Sequence, residues 1–128
     1  MKAWTLVLAF VAGCGGASTV ARPDTPSDVS GVWLEDGLAS WYGARFAGKP
    51  TASREPFDPN ALTAAHRKLR LGTWIEVMRV ETGARVVVRV NDRGPYHGDR
   101  ILDLSRAAAE RLGMLREGVV RVKLRVVR

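Results

Sequence analysis

From residue 119 to residue 127 the chain alternates apolar and basic side chains, with Arg121, Lys123 and Arg125 between valine and leucine residues. Successive side chains of an extended strand point to opposite faces of a sheet, so this alternation predicts a half-buried β-strand. The apolar face of that strand has to be covered by other elements of the chain.

Four other segments predict further strands. Two β-branched runs, 74–80 and 85–90, lie on either side of Glu81-Thr82-Gly83 and together indicate a hairpin. Residues 38–42 predict a first strand that ends at a glycine. Residues 62–66 are compatible with a strand or a short helical turn, and we favour the strand.

One short helix and two loops complete the predicted domain. Proline and glycine punctuate residues 44–60, and residues 91–99 also read as a loop. Ser105 and Gly113 are a typical N-cap and C-terminal glycine for a helix of about two turns between them. We therefore expect a mainly β domain with one short helix, folded as a small closed barrel, because closure removes exposed sheet edges.

The N-terminus predicts export and lipidation. A lysine and a short apolar run precede Val11-Ala12-Gly13-Cys14, and the run is far below the ~20 residues of a transmembrane helix. The four residues resemble a bacterial lipobox, in which the cysteine is acylated; an ordinary signal peptide with a chance cysteine is the alternative. Cys14 is the only cysteine, so no internal disulfide is expected.

These features divide the chain into three parts. Residues 1–13 are expected to be a lipoprotein signal peptide, 14–36 an acylated N-terminus with a flexible tether, and 37–128 the folded domain. With Gly15 after the cysteine, the chain resembles lipoproteins that are sorted to an outer membrane, where the domain would face the periplasm. The cell membrane is the alternative location. The net charge of +7 suits an acidic polymer, or reflects only solvated arginines; export argues against a nucleic acid partner. A monomer is expected.

Several motifs, in their order and spacing, resemble the rare lipoprotein A (RlpA) family. The resemblance covers about residues 37–127 and rests on G-L-A-S-W-Y-G (37–43), T-A-S-R-E (51–55), T-A-A-H (63–66), V-N-D-R-G-P-Y (90–96) and R-I-L-D-L-S (100–105). It implies a six-stranded double-psi β-barrel. It also implies a lytic transglycosylase, which cleaves peptidoglycan glycan strands and leaves 1,6-anhydromuramyl ends. We expect no cofactor and no metal.

The resemblance implies two catalytic carboxyl groups, those of Asp92 and Glu55. Glycan cleavage needs a group that protonates the departing oxygen, usually an Asp or Glu. Asp92 as a cap of its own turn, and Glu55 as a solvated loop residue, are the alternatives. The family commonly has glycine where this chain has Arg54, so either the loop is held differently or Arg54 pairs with a substrate carboxylate.

Four more residues match the family and are expected to bind substrate: His66, Tyr42, Arg93 and Asp103. His66 either contacts sugar hydroxyls, orients a carboxyl group or is structural, and no second ligand at a usual spacing supports a metal there. The Tyr42 ring either stacks on a sugar or belongs to the core or the rim of the domain. For Arg93 and Asp103 we favour an ion pair that braces the loop over direct substrate contact.

Two other functions remain open at this stage. One is a non-catalytic, expansin-like module that binds peptidoglycan in the same groove, and the other is a structural lipoprotein. The basic face at Arg121, Lys123 and Arg125 is a candidate surface for anionic wall polymer. The chain stops at Arg128, so the C-terminal SPOR domain of many family members, and the division-site targeting it gives, are not expected.

Overall fold

The computed structural model describes residues 32–128, so Cys14, the predicted signal peptide and most of the predicted tether lie outside the described residues. This part of the chain forms a short 3₁₀ helix (Ala44–Phe46) and the following strands and α-helix: β1 (Glu35–Trp41), β2 (Thr63–Ala65), β3 (Trp74–Arg79), β4 (Arg85–Asp92), β5 (Arg100–Leu104), α1 (Arg106–Arg111) and β6 (Val120–Val126). No helix within residues 32–128 is long and apolar enough to cross a membrane.

The six strands close into a barrel in the order β1-β5-β2-β4-β3-β6. The pairs β1–β5 and β2–β4 are parallel, and the other four are antiparallel. Every strand therefore has two hydrogen-bonded neighbours, and no edge is left to pair with another chain. The predicted closed six-stranded barrel with one short helix is confirmed.

Strands β3 and β4 form the predicted hairpin. Trp74 pairs with Arg89 at one end and Met78 with Arg85 at the other, and Gly83 has a φ of 80° in the turn. The prediction that residues 91–99 form a loop is wrong at its start, since β4 continues through Asn91 and Asp92. The reason is the parallel neighbour β2, whose pairing with β4 extends the strand beyond its apolar run.

The barrel interior is filled by the apolar side of each strand. The alternation expected of β6 places Val122 and Leu124 in this core, while Val126 is exposed. The largest fully buried side chains are Ile75, Val77, Val88, Val90, Leu102, Leu104, Leu112, Met114, Val122 and Leu124. A leucine truncated to alanine in such a core costs about 2–5 kcal/mol, so this interior makes a rigid support for polar groups at the strand ends.

Helix α1 begins and ends where the sequence indicates. The buried Ser105 hydroxyl accepts a hydrogen bond from Ala108 N at 3.2 Å, and Gly113 follows with a φ of 66°. The buried Arg79 guanidinium donates to the carbonyls of Leu112 and Gly113 at 3.1 and 2.9 Å. These bonds satisfy backbone groups at both helix ends that would otherwise lack partners.

The folded domain begins before residue 37. Glu35 and Asp36, assigned to the tether from the sequence, belong to β1 and pair with β6. Leu34 N also donates to Leu124 O at 2.8 Å. The turn-rich composition around these residues did not reveal that β6 offers them a hydrogen-bonding partner.

Candidate functional site

Two aspartates flank the short strand β2. Ala65 is the register partner of Asp92 in β4 on one side and of Asp103 in β5 on the other. Neighbouring strands lie ~4.8 Å apart, which puts the two aspartate Cα atoms roughly 10 Å from each other. In both parallel pairs the register shifts by one residue close to these aspartates, and such bulges redirect side chains at strand ends.

The Asp92 carboxylate is held by three donors. Oδ1 accepts from the backbone N–H groups of Ala52 and Arg93, both at 2.9 Å. Oδ2 accepts from the Tyr42 hydroxyl at 2.8 Å. Asp92 therefore does cap its own turn, as considered from the sequence, but it does so through Oδ1. Its Oδ2 accepts only from the Tyr42 hydroxyl among the described residues.

Tyr42 connects Asp92 to an aromatic cluster. Its ring packs edge-on against Phe57, with centroids 4.8 Å apart, and lies 5.6 Å from Phe46. Burial and then the hydrogen bond to Asp92 raise the pKa of the Tyr42 hydroxyl well above its usual range. Tyr42 consequently stays protonated at neutral pH, where its hydroxyl can donate to the Asp92 carboxylate.

Glu55 is an ionised group with its own partners rather than an isolated loop glutamate. Arg89 Nη1 lies 2.9 Å from Glu55 Oε1, and Asn91 Nδ2 donates to the same oxygen at 3.0 Å. The hydrogen bond from Arg89, with help from Asn91, holds the pKa of Glu55 below its usual value. Glu55 therefore carries a negative charge beside the end of β4.

Arg54 adopts the backbone conformation that glycine favours. Its φ is 78°, and it is the one non-glycine residue with positive φ in residues 32–128. The turn around it is closed by the bonds from Thr51 N to Glu55 O and from Arg54 N to Thr51 O, at 3.0 and 2.8 Å. Arg54 is therefore held in a backbone conformation that is strained for a residue with a Cβ atom. Its exposed side chain forms no ion pair within the described residues.

Asp103 lies in the wall of a cavity of about 600 Å³. Its Oδ1 accepts a hydrogen bond from the Ser40 hydroxyl on the neighbouring strand. The cavity is lined by Ser40, Trp41, Tyr42, Gly43, Ala44, Arg45, Phe46, His97, Arg100 and Asp103. Neither Asp92 nor Glu55 is among these residues, so Tyr42 joins the cavity to the Asp92 carboxylate.

Arg93 and Asp103 do not form the expected ion pair. Arg93 Nη1 instead donates to the carbonyls of His66 and Leu69, at 3.1 and 2.6 Å. Arg93 therefore braces the segment after β2, while Asp103 depends on Ser40. The error arose because the presence of two residues in neighbouring motifs does not reveal which way each side chain points.

His66 is buried and has partners at both ring nitrogens. Nδ1 accepts from the N–H groups of Lys68 and Leu69 at 3.0 and 3.1 Å, so Nε2 carries the proton and donates to Glu35 at 2.8 Å. The ring thereby closes the turn whose carbonyls hold Arg93. With Glu35 and Ile101 it also lines a second cavity of about 330 Å³.

The predicted basic face of β6 is largely neutralised. Arg121 pairs with Asp36 at 2.6 Å and Arg125 with Glu76 at 2.7 Å. The Arg125 guanidinium also lies 4.4 Å from the centroid of the Trp33 ring. Within residues 32–128, no group of three or more His, Cys, Asp or Glu side chains is arranged to hold a metal ion.

Sequence reasoning missed the partners of the predicted site residues. Arg89 and Asn91 are two apart in β4, so their side chains share a face, and this period could have pointed to a common partner. Ser40 and Glu35 gave no such signal. Their contacts with Asp103 and His66 depend on the barrel register, which joins residues 63 and 31 positions apart.

The chain matches known proteins over this domain. A family model described as "Lytic transglycolase" matches residues 34–124. The chain is 46% identical over 100 residues to "Endolytic peptidoglycan transglycosylase RlpA" of Neisseria meningitidis, covering 78% of this chain and 42% of that protein. It is 52% identical over 93 residues to "Probable endolytic peptidoglycan transglycosylase RlpA" of Treponema pallidum, covering 73% and 29%. The chain therefore spans less than half the length of these relatives.

Solved structures share the fold. The Streptomyces papain inhibitor superposes with a TM-score of 0.59 at 24% identity, covering 75% of this chain and 97% of that one. An expansin from Clavibacter michiganensis gives a TM-score of 0.58 at 22% identity, covering 73% and 50%. At these identities the likeness is one of fold, and it agrees with the expected double-psi β-barrel.

Proposed function

The chain belongs to the lytic transglycolase family, and we propose that it cleaves the glycan strands of peptidoglycan as a lytic transglycosylase. The relatives named endolytic peptidoglycan transglycosylases support this activity. The observation that carries the proposal is the Asp92 carboxylate, whose Oδ2 lies 2.8 Å from a tyrosine hydroxyl on the wall of a 600 Å³ cavity.

In this proposal Asp92 carries both proton transfers. Two backbone N–H groups keep Oδ1 an acceptor, so the proton that the reaction transfers is carried by Oδ2. Asp92 donates that proton to the glycosidic oxygen as the bond from C1 breaks. The C6 hydroxyl of the muramyl residue then bonds to C1 and returns its proton to Oδ2, leaving a 1,6-anhydro end without a catalytic water.

Glu55 assists as an anion that stays ionised at neutral pH. Its lowered pKa makes it unsuited to donate a proton but suited to stabilise positive charge that develops at C1. Arg89 and Asn91 fix its direction. The two candidate carboxyl groups thus have different roles, as glycan cleavage requires.

Of the predicted substrate contacts, we assign Tyr42 and Asp103 to direct contact, since both line the larger cavity. When Asp92 carries the proton, the Tyr42 hydroxyl accepts the hydrogen bond instead of donating it, because a hydroxyl can do either. His66 and Arg93 support the site by holding the turn after β2.

For the whole protein we propose a monomer tethered by a lipid at Cys14 in the cell envelope, at an outer membrane facing the periplasm. The motif Val11-Ala12-Gly13-Cys14 supports the anchor. Peptidoglycan lies within reach of such an anchor, which agrees with the proposed substrate.

The deciding experiment is mass spectrometry of purified sacculi incubated with the mature protein and with Asp92→Asn. Wild type should release fragments with anhydromuramyl ends. Asp92→Asn keeps the size of the side chain and the acceptor at Oδ1 but cannot carry the proton. Turnover should therefore fall by ~10²–10⁴-fold, which is the usual rate contribution of general acid–base catalysis. Equal cleavage by the variant would contradict the mechanism, and reducing ends in place of anhydro ends would indicate a hydrolase.

The second candidate function is a non-catalytic, expansin-like module that binds the same glycan. The observation in its favour is that both carboxylates already have structural partners, three donors at Asp92 and an ion pair at Glu55. Wild-type protein that binds sacculi but yields neither product would establish this reading.

A further inference from the structure

The cavity beside Tyr42 is electropositive. Two arginines, Arg45 and Arg100, line it together with a single carboxylate, that of Asp103. Its volume of about 600 Å³ lies within the ~300–1,000 Å³ typical of small-molecule sites. The charge on its wall therefore constrains what kind of ligand it accepts.

Neither of these guanidinium groups has a carboxylate partner within residues 32–128, although Arg100 is only partly exposed. Arg45 lies 5.3 Å from the Phe46 ring centroid, and Lys49 approaches the same ring at 5.6 Å. Elsewhere on the barrel, five arginines do pair with carboxylates: Arg79, Arg85, Arg89, Arg121 and Arg125. Within the described part of the chain, Arg45 and Arg100 are therefore two cations without a carboxylate partner that share the wall of one cavity.

We infer that Arg45 and Arg100 recognise a carboxylate group carried by the saccharide that enters this cavity, an inference that rests on the proposed function. A guanidinium presents parallel N–H donors that match the two oxygens of a carboxylate. The Asp103 carboxylate on the same wall selects against a second anion and in favour of hydroxyl donors. The ligand that fits both is a sugar with hydroxyls and one acidic substituent.

Peptidoglycan offers two sources of this carboxylate. A muramyl residue stripped of its peptide exposes the carboxylate of its lactyl group. In a peptide-bearing residue that group is an amide, and the carboxylates belong to the stem peptide. Both sources present a carboxylate to the arginines. The test therefore uses glycans that carry only one of the two kinds of carboxylate.

The test measures binding and turnover for Arg45→Gln and Arg100→Gln in the mature protein, with Arg106→Gln as the matched control. Arg106 is exposed at the start of α1 and does not line the cavity. Three glycans are compared: peptide-bearing strands, strands stripped by an amidase, and stripped strands whose carboxylates are methyl-esterified. Each cavity variant should bind the recognised acidic glycan roughly tenfold to a hundredfold more weakly, with KM affected more than kcat.

Wild type should bind the esterified strands as weakly as the variants do, and Arg106→Gln should match wild type throughout. A charge effect confined to stripped strands identifies the lactyl carboxylate, and one confined to peptide-bearing strands identifies the stem peptide. If both cavity variants bind all three glycans like Arg106→Gln, the inference is wrong even where cleavage is intact. If wild type binds selectively but forms no anhydromuramyl ends, the proposed activity fails while the recognition stands.

Discussion

Substitution of Arg54 by glycine tests whether backbone strain beside Glu55 lowers the free energy of unfolding of this domain. A non-glycine residue in the left-handed region costs ~1–2 kcal/mol, and Arg54 has a φ of 78°. Glycine removes that cost but loses ~0.5–1 kcal/mol of chain entropy on folding. Because the arginine side chain is exposed and forms no ion pair within residues 32–128, its removal loses little. Arg54→Gly should therefore stabilise the fold by about 0.5–1 kcal/mol.

The assay is thermal unfolding of the mature protein followed by circular dichroism. For a domain of this size 1 kcal/mol corresponds to ~4–8 °C, so Tm should rise by about 2–8 °C. Arg54→Ala is the matched control, since it removes the side chain but keeps the Cβ atom that causes the strain. Arg54→Asn should fall between the two, because asparagine tolerates this region better than alanine.

We expect Tm to be highest for Arg54→Gly, lower for Arg54→Asn and lowest for Arg54→Ala. If Arg54→Gly melts at or below Arg54→Ala, the left-handed conformation at residue 54 is not a source of strain and the reasoning is refuted. The loop hydrogen bonds from Thr51 to Glu55 would then have to fix the conformation without measurable cost.

Four further predictions concern single side chains. Tyr42→Phe removes the hydroxyl on Asp92 Oδ2 and should lower kcat roughly tenfold or more with the fold intact by circular dichroism. Glu55→Gln should destabilise the protein at pH 7 by about 0.2–1 kcal/mol in denaturant titrations; because the folded-state pKa is lowered from 4.5, the difference should vanish as pH falls through that lowered pKa. Ser105→Ala removes the cap of α1 and should cost about 1–2 kcal/mol. Cys14→Ala should leave the membrane fraction or remain an uncleaved precursor on cell fractionation.

Each of these has its own contrary result. Unchanged turnover in Tyr42→Phe would mean that Asp92 does not depend on that hydroxyl. A Glu55→Gln difference that persists well below the lowered pKa would exclude the ion pair as its cause. A Ser105→Ala protein as stable as wild type would mean that water replaces the cap, and a processed, membrane-bound Cys14→Ala protein would exclude lipidation there.

The local elements could be predicted from the sequence because their signals are local. The alternation in β6, the glycine between β3 and β4, and the cap at Ser105 each describe side chains within a few residues of one another. Burial followed that pattern, with Val122 and Leu124 in the core. The same periodicity could not locate the start of β1, because the pairing of Glu35 and Asp36 depends on a strand some 90 residues later in the chain.

Resemblance to a family found the candidate site residues but not what holds them. The sequence placed Asp92 in a loop, whereas pairing with β2 makes it the last residue of a strand. It paired Arg93 with Asp103, whereas the barrel gives those residues separate partners. It named no partner for Glu55, although Arg89 and Asn91 reach it from β4.

The sequence by itself therefore determined five of the six strands, the helix, the apolar faces and the candidate carboxyl groups, whereas the strand at Arg100–Leu104 was found only in the structure. Only the tertiary structure decided that Tyr42 bonds Asp92 across 50 positions and Ser40 bonds Asp103 across 63. The physical reason is that register in a closed barrel is set by all strands together. A polar side chain at a strand end takes its partner from whichever neighbour that register brings beside it.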